Sequence, residues 1–327
     1  MGVTSQKLSK KNATIDSQGP ITLSPLNTPV LFLVFNRIDT TKQVFEAIRK
    51  AKPPKLYIAS DGARKSVNNE CDKVKAVRDY IISNIDWECE VKTLFREDNY
   101  GCKMAVSDSI DWFFKNEEMG IILEDDCLPS QSFFSFCEEL LVKYKDDLRI
   151  WNISGDNFQN GCKRGESEYY FSKIPHIWGW ASWANRWKHY DVDMKLSGRQ
   201  SVREVIINIF HDRKVQEYWL RTMEGGYRQK LDTWDYQWAY TCFTNNGLSI
   251  NPNKNLIKNI GFGVNATHTT SKENRLSNLE CYNINTPIIL HPTAILPHYL
   301  ADEHTMKIMI NKKNIIKRVT NRILSYF

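Results

Sequence analysis

From residue 30 to residue 123 the chain alternates short apolar runs with longer amphipathic stretches, and this regularity narrows the possible folds more than any other feature. Val30 to Phe35 is a continuous apolar run of strand length, the pattern of a strand buried on both faces. Asp39 is placed to cap a helix whose Val44, Phe45 and Ile48 share one face, and Pro53-Pro54 stops it. A strand over Leu56 to Ala59, a helix carrying Val74, Val77, Tyr80 and Ile81, and a strand over Val91 to Phe95 follow. A helix from Lys103 to Phe114 then leads into the strand Gly120 to Leu123. Strands and helices in this order predict an α/β fold, a mostly parallel sheet with helices on both faces. Such sheets bind ligands beyond the carboxyl ends of their strands. Three predicted strand ends carry polar groups there: Asn36-Arg37, Asp61 and Glu124-Asp125-Asp126.

The flanking regions read differently. Residues 1–27 are polar and predict a disordered N-terminus. After the strand Ile150 to Ser154 the regular pattern dissolves into a Trp-rich segment at 178–190, a helical stretch near 201–222 and an irregular remainder. With no linker and no repeat, residues 156–300 are expected to pack over the sheet edge, as the acceptor half of the domain begun by 28–155. A basic tail occupies 301–327.

Charge and cysteine usage exclude several functions. The chain carries 44 Lys and Arg against 38 Asp and Glu. The six residues Lys307, Lys312, Lys313, Lys317, Arg318 and Arg322 account for the whole excess, so the body is neutral and a nucleic-acid-binding role is disfavoured. The eight cysteines form neither a CxxC pair nor a Cys/His cluster, which argues against zinc and redox motifs and for reduced core thiols. No apolar run resembles a signal peptide or reaches membrane-spanning length, so the expected location is cytoplasmic.

No GxGxxG turn and no GxxxxGK[ST] loop follows a strand, so a bound diphosphate would need another source of neutralisation. Carboxylates at a strand end can hold Mg²⁺ or Mn²⁺, hard ions that prefer oxygen and bridge to phosphates. Glu124, Asp125 and Asp126 suit that role; the competing reading is a solvated acidic turn. Asp235, flanked by Trp234, Tyr236 and Trp238, reads either as a partly desolvated general base or as part of a helix start capped by Asp232. His268, after the Gly-containing segment Gly261 to Thr267, reads as a structural histidine or as a ligand. The Trp-rich run Ile177 to Trp183 reads as a sugar-stacking loop or as a buried aromatic hinge.

Taken in order, PVLFLVFNR (29–37), LYIASDG (56–62), REDNYGCKMAV (96–106), GIILEDDCLPS (120–130), IWGWASWANRW (177–187), TWDYQW (233–238) and GFGVNATH (261–268) resemble GT-A-fold glycosyltransferases of bacterial surface-polysaccharide type. The chain is more distantly similar to eukaryotic N-acetylglucosaminyltransferases that carry an EDD motif. The resemblance implies a metal-dependent, inverting transfer of a sugar, hexosyl or N-acetylhexosaminyl, from a UDP-type donor to a glycan or lipid-linked oligosaccharide. It implies that Asp126 and His268 hold Mn²⁺ or Mg²⁺, and that Asp235 is the catalytic base. It implies that Asn36, Arg37, Asp61, Arg96, Lys103, Glu124 and Asp125 line the nucleotide-sugar site, and that Trp180 and Trp234 contact the acceptor. The motif is compressed from DxD to EDD, which leaves open which carboxylate oxygen meets the metal. Rival readings are a nucleotidyltransferase acting on sugar phosphates, disfavoured by the lack of glycine in Asn36-Arg37-Ile38-Asp39, and a non-catalytic carbohydrate-binding protein.

In the tail, Ile315, Val319 and Ile323 form one helical stripe among basic residues. It reads either as a membrane-surface helix on the inner face of the cytoplasmic membrane or as a helix docked on the body.

Overall fold

The computed structural model describes residues 26–194, 202–227, 232–262 and 279–310. Four strands, β1 (Val30–Val34), β2 (Lys55–Ser60), β3 (Glu90–Phe95) and β4 (Met119–Glu124), alternate with helices α1 (Ile38–Ala51), α2 (Glu70–Ser83) and α3 (Gly101–Phe114). The four strands lie in the order β3-β2-β1-β4, all parallel, with Leu33 in register with Glu124 across β1 and β4. Asp39 does not cap α1. The N-cap is Arg37, whose carbonyl accepts the Thr41 N–H, while Asp39 sits in the first turn, where its charge favours the helix dipole. The helix stops at Lys52, which is left-handed, directly before Pro53.

The apolar runs are buried from both sides. Val30, Phe32 and Val34 pack with the α1, α2 and α4 (Gln131–Lys143) side chains, whereas Leu31 and Leu33 pack with Ile110, Phe113 and Trp238 on the opposite face. The expected mixed α/β architecture, with helices on both faces, is what the chain adopts.

The second half departs from expectation. Instead of packing over the sheet edge, it extends the sheet. Strands β8 (Trp180–Trp183), β6 (Ile150–Ser154), β9 (Leu248–Pro252) and β7 (Tyr169–Ser172) continue the order beyond β4. β8 is antiparallel to β4 with Ile121 opposite Ala181, and β9 is parallel to β6, so six of the eight strands share one direction and β7 and β8 oppose them. Hydropathy marks only β6 among them; β7, β8 and β9 are short and bury polar residues, Ser172, Ser182, Ser249 and Asn251, among their apolar ones. Asn152, Ser154 and Ser249 are fully buried and bond one another, and Trp238 Nε1 donates to Asn152 Oδ1 at 3.1 Å. A small second sheet joins β5 (Cys127–Pro129) to β10 (Ile257–Asn259). The remaining helices are α5 (Ala184–Trp187), α6 (Val202–Ile209), α7 (Arg213–Tyr227) and α8 (Asp235–Thr244), and residues 299–310 are helical. The stretch expected as one helix near 201–222 is thus two, broken around Phe210 to Asp212. All eight cysteines are free thiols.

Arg186 ties the new strands to the old core. Its guanidinium is fully buried and donates to the carbonyls of Tyr144, Lys145, Asp147 and Ile150, and it stacks over the Trp183 ring at 4.4 Å. An apolar residue there strands four carbonyls. We expect Arg186→Leu to cost at least about 3 kcal/mol of unfolding free energy, measured by urea denaturation.

Candidate active site

The acidic triplet follows directly from β4. Glu124 is the last residue of the strand, and Asp125 and Asp126 form the turn that reverses the chain into β5. The parallel register of β1 and β4 brings the end of β1 alongside. The Phe35 N–H donates to Asp125 Oδ2 at 3.2 Å, and the Arg37 guanidinium bridges Asp125 Oδ1 and Asp126 Oδ2, the latter at 2.9 Å. Asp125 is 3% exposed. Burial would lower the Arg37 pKa, but the two carboxylates outweigh it and hold the guanidinium firmly charged. Asp126 is also braced from the other side. Its carbonyl accepts the Ile260 N–H at 2.8 Å, and a Cβ on Gly261 would lie 2.1 Å from Asp126 Oδ2, so only glycine lets this backbone approach.

Asp235 opens α8, within electrostatic reach of Glu124. Thr233 Oγ1 donates to Asp235 Oδ1. The two segments meet at the start of α3, where the Cys102 thiol is pushed far up, first by burial and then by the charges of Glu124, Asp232, Asp235 and Asp61. Six carboxylates therefore converge on the ends of β2 and β4 and the starts of α3 and α8, against the Arg37 guanidinium. Glu124 is displaced upward to about 8, by burial first and then by Asp126 and Asp125, with Arg37 opposing; Asp125 is raised to about 6, again by burial first.

Several residues expected at the site are already engaged by the fold. Asp61 accepts from Gly62 N, Asn99 Nδ2, Tyr100 N and Gly101 N, so its carboxylate clamps the β3–α3 connection. Burial raises its pKa and these N–H groups oppose the shift. Asn36 Nδ2 donates to Glu70 at 2.8 Å. Arg96 donates to Ser109 Oγ at 3.1 Å and lies over the Tyr100 ring, while the buried Lys103 ammonium is 4.0 Å from Asp193. Asp232 does not cap its own helix. It caps α3 from 129 residues away, accepting the Lys103 N–H at 2.8 Å and the Cys102 N–H at 3.1 Å. His268 lies outside the described residues.

Trp180 and Trp234 correct the sequence reading. They are 1% and 2% exposed and stack on each other with ring centroids 5.6 Å apart, inside a cluster with Trp187 and Trp238. Both rings belong to the core, and neither is open to a sugar. Trp178 and Phe262 are more open. Trp178 meets Phe262, the neighbour of Gly261, at 5.7 Å on the side of the site that carries Asp126. Trp178 lies outside β8, before Gly179, whose positive φ turns the chain into the strand; no sequence signal separates it from Trp180, since positions two apart share a strand face.

The carboxylates offer the hard oxygen donors that a divalent ion requires. As they stand, no group of three or more His, Cys, Asp or Glu among the described residues is arranged to hold a metal ion.

No protein-family model and no curated protein matches the chain. Among solved structures it is similar to the mannosyltransferase PcManGT from Pyrobaculum calidifontis in complex with GDP-Man and Mn²⁺, at 12% identity over 52% of this chain and 50% of that one, with a TM-score of 0.31. It is also similar to a UDP-glucose pyrophosphorylase complexed with UDP-glucose (11% identity, 50% of this chain, 79% of that one, TM-score 0.29). A cytidylyltransferase from Leptospira borgpetersenii serovar Hardjo-bovis gives 13% identity over 54% of this chain and 68% of that one, with a TM-score of 0.33. The match spans half the length of the mannosyltransferase. These are loose likenesses, and the chemistry of the site rests on its own residues.

The Glu124 shift has a measurable consequence. A carboxyl whose folded pKa lies above its ordinary value of 4.5 adds stability in full below that value and loses it as pH rises through about 8. Glu124→Gln removes the titration. In EDTA its melting temperature should match the parent near pH 5 and exceed it near pH 9, a gain on the order of 2 kcal/mol. A constant difference across that range would contradict the assignment.

Proposed function

We propose that the chain is a glycosyltransferase that moves a sugar from a nucleotide-diphosphate donor to a glycan or lipid-linked glycan hydroxyl. The observation that carries this reading is the Glu124-Asp125-Asp126 turn at the carboxyl end of β4 together with Asp235 at the start of α8. A diphosphate is itself anionic, and six carboxylates with Arg37 can receive it only with added positive charge. When bound at Asp126, a Mn²⁺ or Mg²⁺ ion would offset the charge that grows on the departing nucleoside diphosphate. Asp235 is the base: partly exposed, held by Thr233, it takes the proton from the acceptor hydroxyl as that oxygen attacks the anomeric carbon from the face opposite the leaving group. On this reading the course is inverting. Trp178 and Phe262, at the rim beside Gly261, are placed to stack on a sugar ring, the role first expected of Trp180 and Trp234.

The donor is read out by melting temperature across nucleoside diphosphate sugars with and without Mn²⁺. The true donor should raise it by at least about 3 °C. Asp235→Asn should keep that shift while losing transfer to an acceptor by on the order of a thousandfold. Undiminished transfer by Asp235→Asn would remove the base assignment. Release of pyrophosphate from a nucleoside triphosphate and a sugar 1-phosphate would assign the site to nucleotidyl transfer instead.

We further propose that the acceptor is met at an anionic membrane surface. Ile289, Leu290, Leu296, Tyr299 and Leu300 are 46–79% exposed, on a segment that runs along the edge strand β7 through the Glu168–Leu290 hydrogen bond and the Phe171–Pro297 bridge. The basic residues from Lys307 onward follow in sequence. Among the described residues no helix is long and apolar enough to cross a membrane, so the contact proposed is peripheral. Phosphatidylglycerol vesicles should retain the full chain in sedimentation, and Leu296→Ser with Leu300→Ser should weaken retention by roughly tenfold. Equal retention of the double variant would sink this part of the proposal.

A further inference from the structure

Asp125 and Asp126 already have a cation, and it belongs to the chain. Arg37 Nη1 lies 2.9 Å from Asp126 Oδ2, and Nη2 pairs with Asp125 Oδ1. The other oxygens are also engaged: Asp125 Oδ2 by the Phe35 N–H at 3.2 Å, and Asp126 Oδ1 by the Cys127 thiol at 3.5 Å. A hard divalent ion binds carboxylate oxygens closely, at about 2.1 Å for Mg²⁺; each oxygen has a second lone pair, so the neutral N–H and thiol donors can stay, but the ion meets the guanidinium as a like charge on the same two carboxylates.

The partners differ in how easily they leave. The Phe35 N–H is fixed by the end of β1, and Cys127 is a buried residue of β5. Gly261, packed against Asp126 Oδ2, is held by the Ile260 N–H bond to the Asp126 carbonyl. The Arg37 side chain, by contrast, is about a quarter exposed, hangs on a long stem from the N-cap of α1, and uses no side-chain atom to hold that helix. It can swing out without disturbing a strand or a helix. Both cations at once would set like charges within a few ångströms beside the buried Asp125, where repulsion is poorly screened.

We infer that Arg37 is a resident counter-cation that competes with divalent metal for Asp125 and Asp126. The metal enters only as the guanidinium leaves. This rests on the reading of the triplet as a cation-dependent site, and it adds that the metal-free site is held charge-compensated by the protein itself.

The test needs no nucleotide. Free Mn²⁺ is followed by its electron paramagnetic resonance signal during titration of the full chain, as wild type, Arg37→Met and Arg37→Lys. With the competitor removed, Arg37→Met should bind Mn²⁺ at least about tenfold more tightly than wild type, and Arg37→Lys, which keeps one charge but loses the fork, should fall between. Equal or weaker binding by folded Arg37→Met, or no Mn²⁺ binding by any of the three, would overturn the inference. Should Arg37→Met not fold, the wild type decides through its Arg37 Nη resonances. The slow guanidinium rotation of an ion-paired arginine should be lost as Mg²⁺ is added, and its persistence at saturating Mg²⁺ is the contrary result. A chain that binds a donor only without metal would keep the transferase reading and lose this one. A chain that binds no donor but shows the exchange would do the reverse.

Discussion

Strand β4 is the constraint from which the rest of the molecule follows. It lies at the junction of the sheet, parallel to β1 on one side and antiparallel to β8 on the other, with both faces covered. Its interior residues are necessarily apolar, so its chemistry can begin only where the strand ends. At that end the register against β1 decides the neighbours. Because Leu33 pairs with Glu124, the backbone that leaves β1 delivers the Phe35 N–H and the Arg37 side chain to the two aspartates that leave β4. The ion pair is thus a product of strand pairing, with no long-range search required.

The site shows how a fold can concentrate one sign of charge. Asp232 caps α3, Asp61 clamps the turn before it, and both are carboxylates because each must accept several N–H groups at once. These structural acids lie beside the three that end β4. The same negative field that makes the site receptive to cations therefore also serves to hold α3 in place. Burial first, and that field second, push the Cys102 thiol and the Glu124 carboxyl upward.

The first half of the fold was legible because its signals are local. Continuous apolar runs name β1, β2 and β4, and helices between them force parallel pairing, so the strand ends and the triplet could be located from residue order alone. Beyond β6 the second half was not, since β8 and β9 bury Ser182 and Ser249, whose partners Trp151, Asn152 and Ser154 lie on another strand, 31 to 97 residues away in sequence. The same limit applied to individual side chains. Arg37 and Asp235 were visible as residues that no core needs. The cap made by Asp232 across 129 residues was invisible, and for Trp180 and Trp234 the choice between a sugar-stacking loop and a buried hinge depends on partners far apart in sequence.

The strand order has a consequence for how the chain can be divided. Residues that follow in sequence do not simply append to the first half, because β8, from residues 180–183, inserts directly against β4 and separates it from β6. A fragment ending near residue 155 would keep the β1 pairing of β4 but leave its other edge, which β8 covers from Met119 to Ile122, unpaired. Such an open, apolar edge invites pairing with another copy. The first half is therefore not a portable module: separated from the second it should self-associate, and any dissection, fusion or fragment complementation must keep residues 30 to 252 together.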